Sequence, residues 1–280
     1  MNVTLKYIAS SGNEYNLKSD GIRTKTANYH KWSWGVNGTT LQYGIRVSDF
    51  DRKPVTYETT IVFTGSYSQR KALIEALHDD FELDVRNMKL GKIVWGDYYI
   101  DCYITMSSTY PDRDNVYTEN EITIYCPYPF WIQEEKREFF PQDAPTGEAF
   151  LDFPHDYPYD YSYGNPGLGR WIRDFPWPSE FQMVIYGPCV NPQIVINGYP
   201  YLIKDTLDST DYIILDSRSN KVTKYLANGQ VLNIFDLRNK TQSVFEPIPG
   251  GDLTLTWTGA FGFSLTLYEE RSEPRWITSL

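Results

Sequence analysis

The chain has 280 residues, a formal net charge of −10 and an aromatic content of 16%, with 23 tyrosines, 17 prolines and 19 glycines. A chain of this length has room for one large domain or two ordinary ones. The aromatic content excludes a disordered or low-complexity chain, because such chains are poor in aromatic residues. Combined with the many turn-forming residues, it favours β-sheet.

Several classes of protein are excluded at the same level. No apolar run approaches the roughly 18–20 residues that a membrane helix requires, so we expect no membrane insertion. The first residues lack the basic, apolar and small-residue order of a secretion signal, so we expect folding and assembly in a cytoplasm. A pI near 4.8 argues against a surface that grips nucleic acid, although it does not argue against nucleic acid passing by.

Residues 1–65 have the pattern of β-strands. Val3, Leu5 and Tyr7 alternate with polar residues, and the runs 41–47 and 56–63 are typical of further strands. We expect Asn37-Gly38 to form a tight hairpin turn before the first of these runs, because Asn-Gly supplies the positive φ values that such a turn requires.

One helix follows. Ser66 and Gln69 have the spacing of a capping box, and Leu73, Leu77 and Phe81 recur at helical spacing. The pattern predicts a helix from Ser68 to about Asp84, with its apolar stripe in the core. Three acidic residues are expected on its solvent side: Glu75, Asp79 and Glu82.

Gly96-Asp97 then predicts a hairpin, and the strand after it would place Ile100, Cys102, Ile104 and Met106 on one face. Another strand is expected at 121–126. We therefore expect residues 1–139 to form a β-barrel or β-sandwich domain with one helix.

The composition changes in residues 140–179. From Phe140 to Pro166 there are five acidic residues and five prolines but no lysine or arginine. Repeated X-Pro steps favour extended backbone, so this stretch is predicted to be a stiff connector. It is also rich in tyrosine, which favours packing against another surface over a fully solvated linker.

Residues 180–280 predict an antiparallel β-sandwich without helices. Short runs of alternating residues follow one another at regular spacing, and Asn197-Gly198 and Asn228-Gly229 are expected at turns. The predicted strands are 181–186, 193–196, 199–204, 212–216, 221–226, 230–234, 253–258 and 263–268.

The sequence offers no pattern typical of catalysis. The three histidines lie in separate segments without metal-ligand spacing, and the three cysteines are too far apart for a Cys-x-x-Cys site. We therefore expect no catalytic residues, no metal and no cofactor. A carbohydrate-binding β-sandwich that recognises a host cell surface is the alternative function. Trp32 and Trp34 would form its stacking platform unless they face a core.

Three stretches carry a resemblance to the distal tail proteins (Dit) of long-tailed bacteriophages. They are the connector segment Asp156-Tyr-Pro-Tyr-Asp-Tyr161, the stretch 185–198 with its Gly-Pro and Asn-Pro steps, and the closing stretches 245–255 and 273–276. The order of the predicted domains is also similar to that of the family. The likeness covers most of the chain, although the N-terminal third matches in the order of its predicted elements more than in residue identity.

The resemblance implies a structural virion protein of the tail tip. It implies a homo-hexameric ring in which N-terminal belt domains surround a channel for DNA and galectin-like C-terminal sandwiches project outward. The implied partners are the major tail tube protein, the tail-associated tip protein, and receptor-binding or other baseplate proteins. Our candidates for structural or interface contacts are Asp156, Tyr157, Tyr159, Asp160, Tyr161, Asn191 and Pro192.

Overall fold

The computed structural model describes residues 4–19, 21–111, 116–141 and 167–275. The chain divides into two compact units, of which the first comprises Met1–Gln133 with Glu270–Leu280 and the second comprises Glu134–Glu269. The strands β10 (Trp131–Phe139) and β21 (Phe263–Arg271) each contain one of the points where the chain passes from one unit to the other.

The first unit contains one α-helix, α1 (Tyr67–Arg86), among antiparallel strands. Its strands in chain order are β1 (Leu5–Ile8), β2 (Glu14–Asn16), β3 (Ile22–Ala27), β4 (Gly35–Thr40), β5 (Ile45–Asp51), β6 (Val55–Phe63), β7 (Gly91–Trp95), β8 (Tyr98–Pro111) and β9 (Thr118–Cys126).

Strand β8 belongs to two sheets of this unit. Its first half lies beside β7, which continues the order β7-β1-β2, and its second half lies beside β9 in the four-stranded order β3-β6-β9-β8. The register of β8 against β9 shifts between Ile104 and Met106. This bulge explains why Met106 is half exposed, whereas the alternation in the sequence predicts it on the buried face with Ile100, Cys102 and Ile104.

Helix α1 begins as its sequence predicts. The Ser66 hydroxyl accepts a hydrogen bond from the Gln69 backbone N–H, and the Gln69 side chain accepts one from the Ser66 backbone N–H. Leu77 and Phe81 are buried in a core shared with strands of both sheets, and Leu73 packs against that core. The three acidic residues expected on the solvent side are exposed.

The second unit is a β-sandwich whose strands agree closely with those predicted. One sheet has the order β19-β18-β17-β12-β21 and the other the order β11-β20-β14-β15. A short pair, β13 with β16, and a 3₁₀ turn at Phe235–Leu237 complete the described part. The strands not yet defined are β11 (Gly167–Trp171), β12 (Glu180–Tyr186), β13 (Cys189–Val190), β14 (Gln193–Ile196), β15 (Tyr199–Leu202), β16 (Thr206–Leu207), β17 (Tyr212–Asp216), β18 (Lys221–Tyr225), β19 (Val231–Asn233) and β20 (Leu253–Trp257).

The two sheets of the second unit share one buried apolar cluster, to which Phe181, Ile194 and Leu265 belong. Asn197 and Gly198 both have positive φ and join β14 to β15, as the Asn-Gly pair predicts. The predicted fold class is therefore confirmed. The chain is mainly β, with one α-helix in the first unit and an antiparallel sandwich in the second.

A buried arginine stabilises the second unit. The Arg173 side chain is fully buried, and its guanidinium lies 3.2 Å from a Glu269 carboxylate oxygen and 3.0 Å from the Ser179 hydroxyl. A second carboxylate, that of Glu135, lies 3.6 Å away. Because removal of one partner would leave an uncompensated buried charge, this cluster fixes the positions of the chain segments that contribute to it.

Candidate assembly surface

Among the residues that the structure describes, no group of three or more His, Cys, Asp or Glu side chains is placed to hold a metal ion. The same residues include no helix that is long and apolar enough to cross a membrane. The cysteines are free, and two of them are buried.

The most unusual surface is the hairpin formed by β4 and β5, which we call the arm (residues 35–51). Every residue from Val36 to Phe50 is exposed, so neither face of the arm is covered. Its exposed large apolar side chains are those of Val36, Leu41, Tyr43, Ile45, Val47 and Phe50. An isolated two-stranded hairpin is marginally stable in water. An apolar one therefore requires a partner surface.

The turn of the arm lies at Leu41–Gly44, where the Leu41 N–H donates to the Gly44 carbonyl at 2.9 Å and Gly44 has φ +88°. The predicted turn at Asn37-Gly38 is wrong, because both residues lie inside β4, where the register shifts at a β-bulge. Gly38 is required there for close approach. A Cβ at this position would lie 2.4 Å from the Arg46 carbonyl oxygen.

The base of the arm is anchored to the first unit by an aromatic and cationic cluster. The Arg52 guanidinium lies over the rings of Trp34 and Phe130, 5.3 and 4.6 Å from their centroids, and donates a hydrogen bond to the Ser272 hydroxyl at 2.9 Å. Burial lowers the pKa of Arg52. These contacts hold the base in place while the rest of the arm stays exposed.

The two tryptophans proposed as a sugar-stacking platform lie at this base, before β4. Trp32 and Trp34 are both exposed, but they lie outside the strands and do not face a core. The Trp34 ring meets Phe130 edge-on at 6.2 Å and is also covered by Arg52. Less of its face is therefore left for stacking on a sugar.

The four-stranded sheet of the first unit has two open edges. Within the described residues β3 pairs only with β6, and β8 beyond Cys102 pairs only with β9. Unpaired backbone groups at such edges are templates for pairing with another chain. The arm connects β3 to β6, so it leaves the sheet at the ends of these two strands.

The solvent face of this sheet is polar, with three carboxylates against the two cations of Arg23 and Lys25. Glu58, Glu119 and Glu121 lie there, and the Lys25 ammonium crosses to the Glu119 carboxylate at 2.7 Å. This hydrogen bond and the charge of Glu119 raise the pKa of Lys25. With an excess of only one carboxylate, this face offers little attraction for a polyanion.

The sequence-predicted contact residues are only partly described by the structure. Asp156, Tyr157, Tyr159, Asp160 and Tyr161 lie outside the described residues.

Asn191 and Pro192 join β13 to β14 in the second unit. Asn191 is exposed with φ +48° and its N–H donates to the Asp205 carbonyl, whereas Pro192 is buried and its carbonyl accepts from the Ile203 N–H. The arm was not predicted as a site from the sequence.

Comparison with known proteins gives a likeness of fold only. No protein-family model matches the chain, and no curated protein matches it. Among solved structures, the chain is similar to the Dit protein of phage SPP1, described as a paradigm of the hub adsorption apparatus in phages that infect Gram-positive bacteria. That match has a TM-score of 0.61 and 12% identity, and covers 97% of this chain and 100% of the other.

Two structures of the phage P2 baseplate in its activated conformation, with Ca and with Sr, also match. Each has a TM-score of 0.66, with 12% and 13% identity respectively, and covers 98% of this chain and 100% of the matched chain. The resemblance inferred from the sequence is thereby confirmed at the level of the fold, which this chain shares along nearly its whole length.

Proposed function

We propose that this chain is a non-enzymatic structural subunit of the distal tail hub of a long-tailed bacteriophage. The observation that carries the proposal is the fold, which a phage hub protein and phage baseplate chains share over 97–98% of this chain. In the virion the subunit would lie at the tail tip, after assembly in the host cytoplasm.

In this proposal the chain forms a homo-hexameric ring. The arm and the open edges of β3 and β8 support a head-to-tail contact, because such a contact uses two different surfaces of each copy and closes into a ring when the rotation allows it. The polar face of the four-stranded sheet, where carboxylates exceed cations by one, would suit a channel through which DNA passes without being held.

The ring would join the major tail tube protein on one side to the tail-associated tip protein on the other, with receptor-binding or other baseplate proteins as further partners. The second unit would project outward as the galectin-like domain. The tyrosines and aspartates of the connector, with Asn191 and Pro192, stay our proposed contacts within this assembly.

Mass photometry of the purified chain tests the ring. We expect a species of about 196 kDa, six times the 32.6 kDa of one chain, that binds the tail tube or tip protein of the same phage. Replacing the exposed tip residues Tyr43 and Ile45 by Asp should leave a folded monomer, since exposed substitutions change stability by only about 0.5 kcal/mol.

The matched control is Ile172→Asp with Val231→Asp, which adds the same two charges at exposed apolar sites in the second unit. This variant should assemble like the wild type. A wild-type chain that stays monomeric at every concentration and binds neither the tube nor the tip protein would overturn the proposal.

A further inference from the structure

The first unit has a groove between the C-terminal half of α1 and strand β8, with a volume of about 440 Å³. The buried side chains of Phe81 and Ile104 form its floor, and the half-exposed Val85 and Met106 form its rims. Its size lies in the range of pockets that enclose a ligand, roughly 300–1,000 Å³.

One end of the groove is polar, and its hydrogen bonds are made within the unit. The Nε2 of His78 lies 2.8 Å from the Ser107 hydroxyl and 2.9 Å from the Asn120 amide nitrogen. Burial lowers the pKa of His78, which favours the neutral ring, whose Nε2 can accept a hydrogen bond from one of these two groups. The rest of the groove is mixed, with apolar surface from Val85 and Met106 beside the polar side chains of Glu82, Arg86 and Thr105.

The groove coincides with the open edge of β8. Strand β7 pairs with β8 only as far as Cys102, and the residues from Ile104 to Ser107 that line the groove have β9 as their partner on the other side. An incoming strand could therefore pair with the backbone of β8 while burying its side chains in the groove, which is the geometry of β-strand addition.

We propose that the arm of a second copy of this chain occupies the groove. Strand addition at the groove requires a strand with free apolar side chains. The arm has two strands, and their apolar side chains are uncovered. Positively and negatively charged residues are present both on the arm and at the rim of the groove. Arg46 and Asp49 are exposed on the arm, and the rim of the groove carries the paired Glu82 and Arg86, 2.7 Å apart.

A second copy is the proposed occupant because the arm of the same copy is exposed from Val36 to Phe50 and so does not lie in the groove. The arm leaves the sheet at the ends of the paired strands β3 and β6, whereas the groove lies along β8, which is separated from β6 by β9. Each molecule would thus insert its arm into the next, which produces a heterologous contact and a ring. The inference rests on the proposed function and assigns the partner surfaces within it.

A mixing experiment tests the assignment. Variant X carries Tyr43→Asp and Ile45→Asp in the arm, and variant Y carries Val85→Asp and Met106→Asp at the rims of the groove. All four residues are exposed in the subunit, so circular dichroism should show both variants folded. Each variant alone should be monomeric.

A mixture of X and Y should form a 1:1 heterodimer of about 65 kDa, twice the 32.6 kDa of one chain, and nothing larger. This follows because only the arm of Y and the groove of X remain competent. Assembly of Y alone into a ring would overturn the inference, because the ring would then form without the groove.

Cysteine cross-linking in the assembled protein, without the aspartate substitutions of X and Y, gives an independent readout. Ile45→Cys with Met106→Cys, in a chain with Cys189→Ser, should yield a ladder of covalent oligomers on oxidation. Ile45→Cys with Val231→Cys should not. A ring that forms without this cross-link, and that survives the groove substitutions, would overturn the inference but leave the proposed function standing. A chain that never oligomerises would overturn the proposed function itself.

Discussion

Asp80 is a buried carboxylate that ties α1 to the hairpin of β1 and β2. It accepts hydrogen bonds from the hydroxyls of Tyr15 and Ser11 and from the Asn13 amide, at 2.5, 2.8 and 3.0 Å. Burial alone would raise the pKa of Asp80, but these three hydrogen bonds together outweigh burial and lower it. The ionised carboxylate is therefore the form that stabilises the fold.

A pH-dependent loss of stability follows. A lowered pKa contributes free energy of unfolding that is present above the unfolded value of about 3.9 and is lost as the pH falls through the folded value. Asp80→Asn should reduce the free energy of unfolding by about 1–3 kcal/mol at pH 7, and the gap to the wild type should narrow below about pH 4. Urea denaturation at stepwise lower pH measures both.

The neighbouring residue gives a matched control for this prediction. Asp79 lies on the same helix but is exposed, so Asp79→Asn should change the free energy of unfolding by less than about 0.5 kcal/mol at any pH. An Asp80→Asn variant whose deficit is the same at pH 7 and pH 3 would contradict the assigned role of the carboxylate.

At the scale of elements, the pairing of the arm's two strands depends on close approach at Gly38. A Cβ at Gly38 would lie 2.4 Å from the Arg46 carbonyl oxygen and 2.7 Å from the Ile45 Cγ2 atom across the bulge. Gly38→Ala must therefore push β4 and β5 apart. We expect backbone amides of residues 35–51 to exchange hydrogen about tenfold faster, which corresponds to roughly 1.4 kcal/mol. Mass spectrometry of the arm's peptides measures this exchange.

Hydrogen exchange in the rest of the first unit should not change in Gly38→Ala. Peptides from α1 should exchange at the wild-type rate, because the arm contributes no residue to the buried core between Val36 and Phe50. Thr39→Ala, at the exposed residue after Gly38, is the control and should leave the arm unchanged. Equal exchange in the Gly38→Ala arm and the wild-type arm would show that the bulge is not required for pairing.

The elements also show what the sequence could predict. Local signals sufficed for α1, whose start depends on Ser66 and Gln69, and for β14 and β17, whose alternating residues bury one face. The Asn37-Gly38 signal failed because a turn signal is local, whereas the bulge is set by pairing with residues about ten positions away. Close approach and positive φ both favour glycine, so the residue type alone does not distinguish them.

Contacts between residues far apart in the sequence could not be predicted from local patterns. Asp80 and Asp84 are buried because polar side chains and a backbone amide more than sixty residues earlier in the chain surround them. The arm was missed for a related reason. Alternating apolar residues predict that a strand is covered, but they do not say whether the cover comes from the same chain or from another copy.

At the scale of the whole molecule, net charge opposes the proposed assembly. Each chain carries a formal −10, so copies that meet repel one another before their apolar surfaces touch. Salt shortens the range of this repulsion, from roughly 30 Å at 0.01 M to roughly 8 Å at 0.15 M ionic strength. An apolar contact is not weakened by the same salt.

Ring formation should therefore strengthen as salt is added. Between about 0.01 and 0.15 M NaCl we expect the concentration at half-assembly to fall by roughly tenfold, or about 1.4 kcal/mol, as measured by mass photometry. Asp208→Asn with Glu246→Gln removes two exposed acidic charges from the second unit and should flatten this dependence. If salt instead dissociates the ring, ion pairs between copies dominate, and the contact is not the apolar one that the arm supplies.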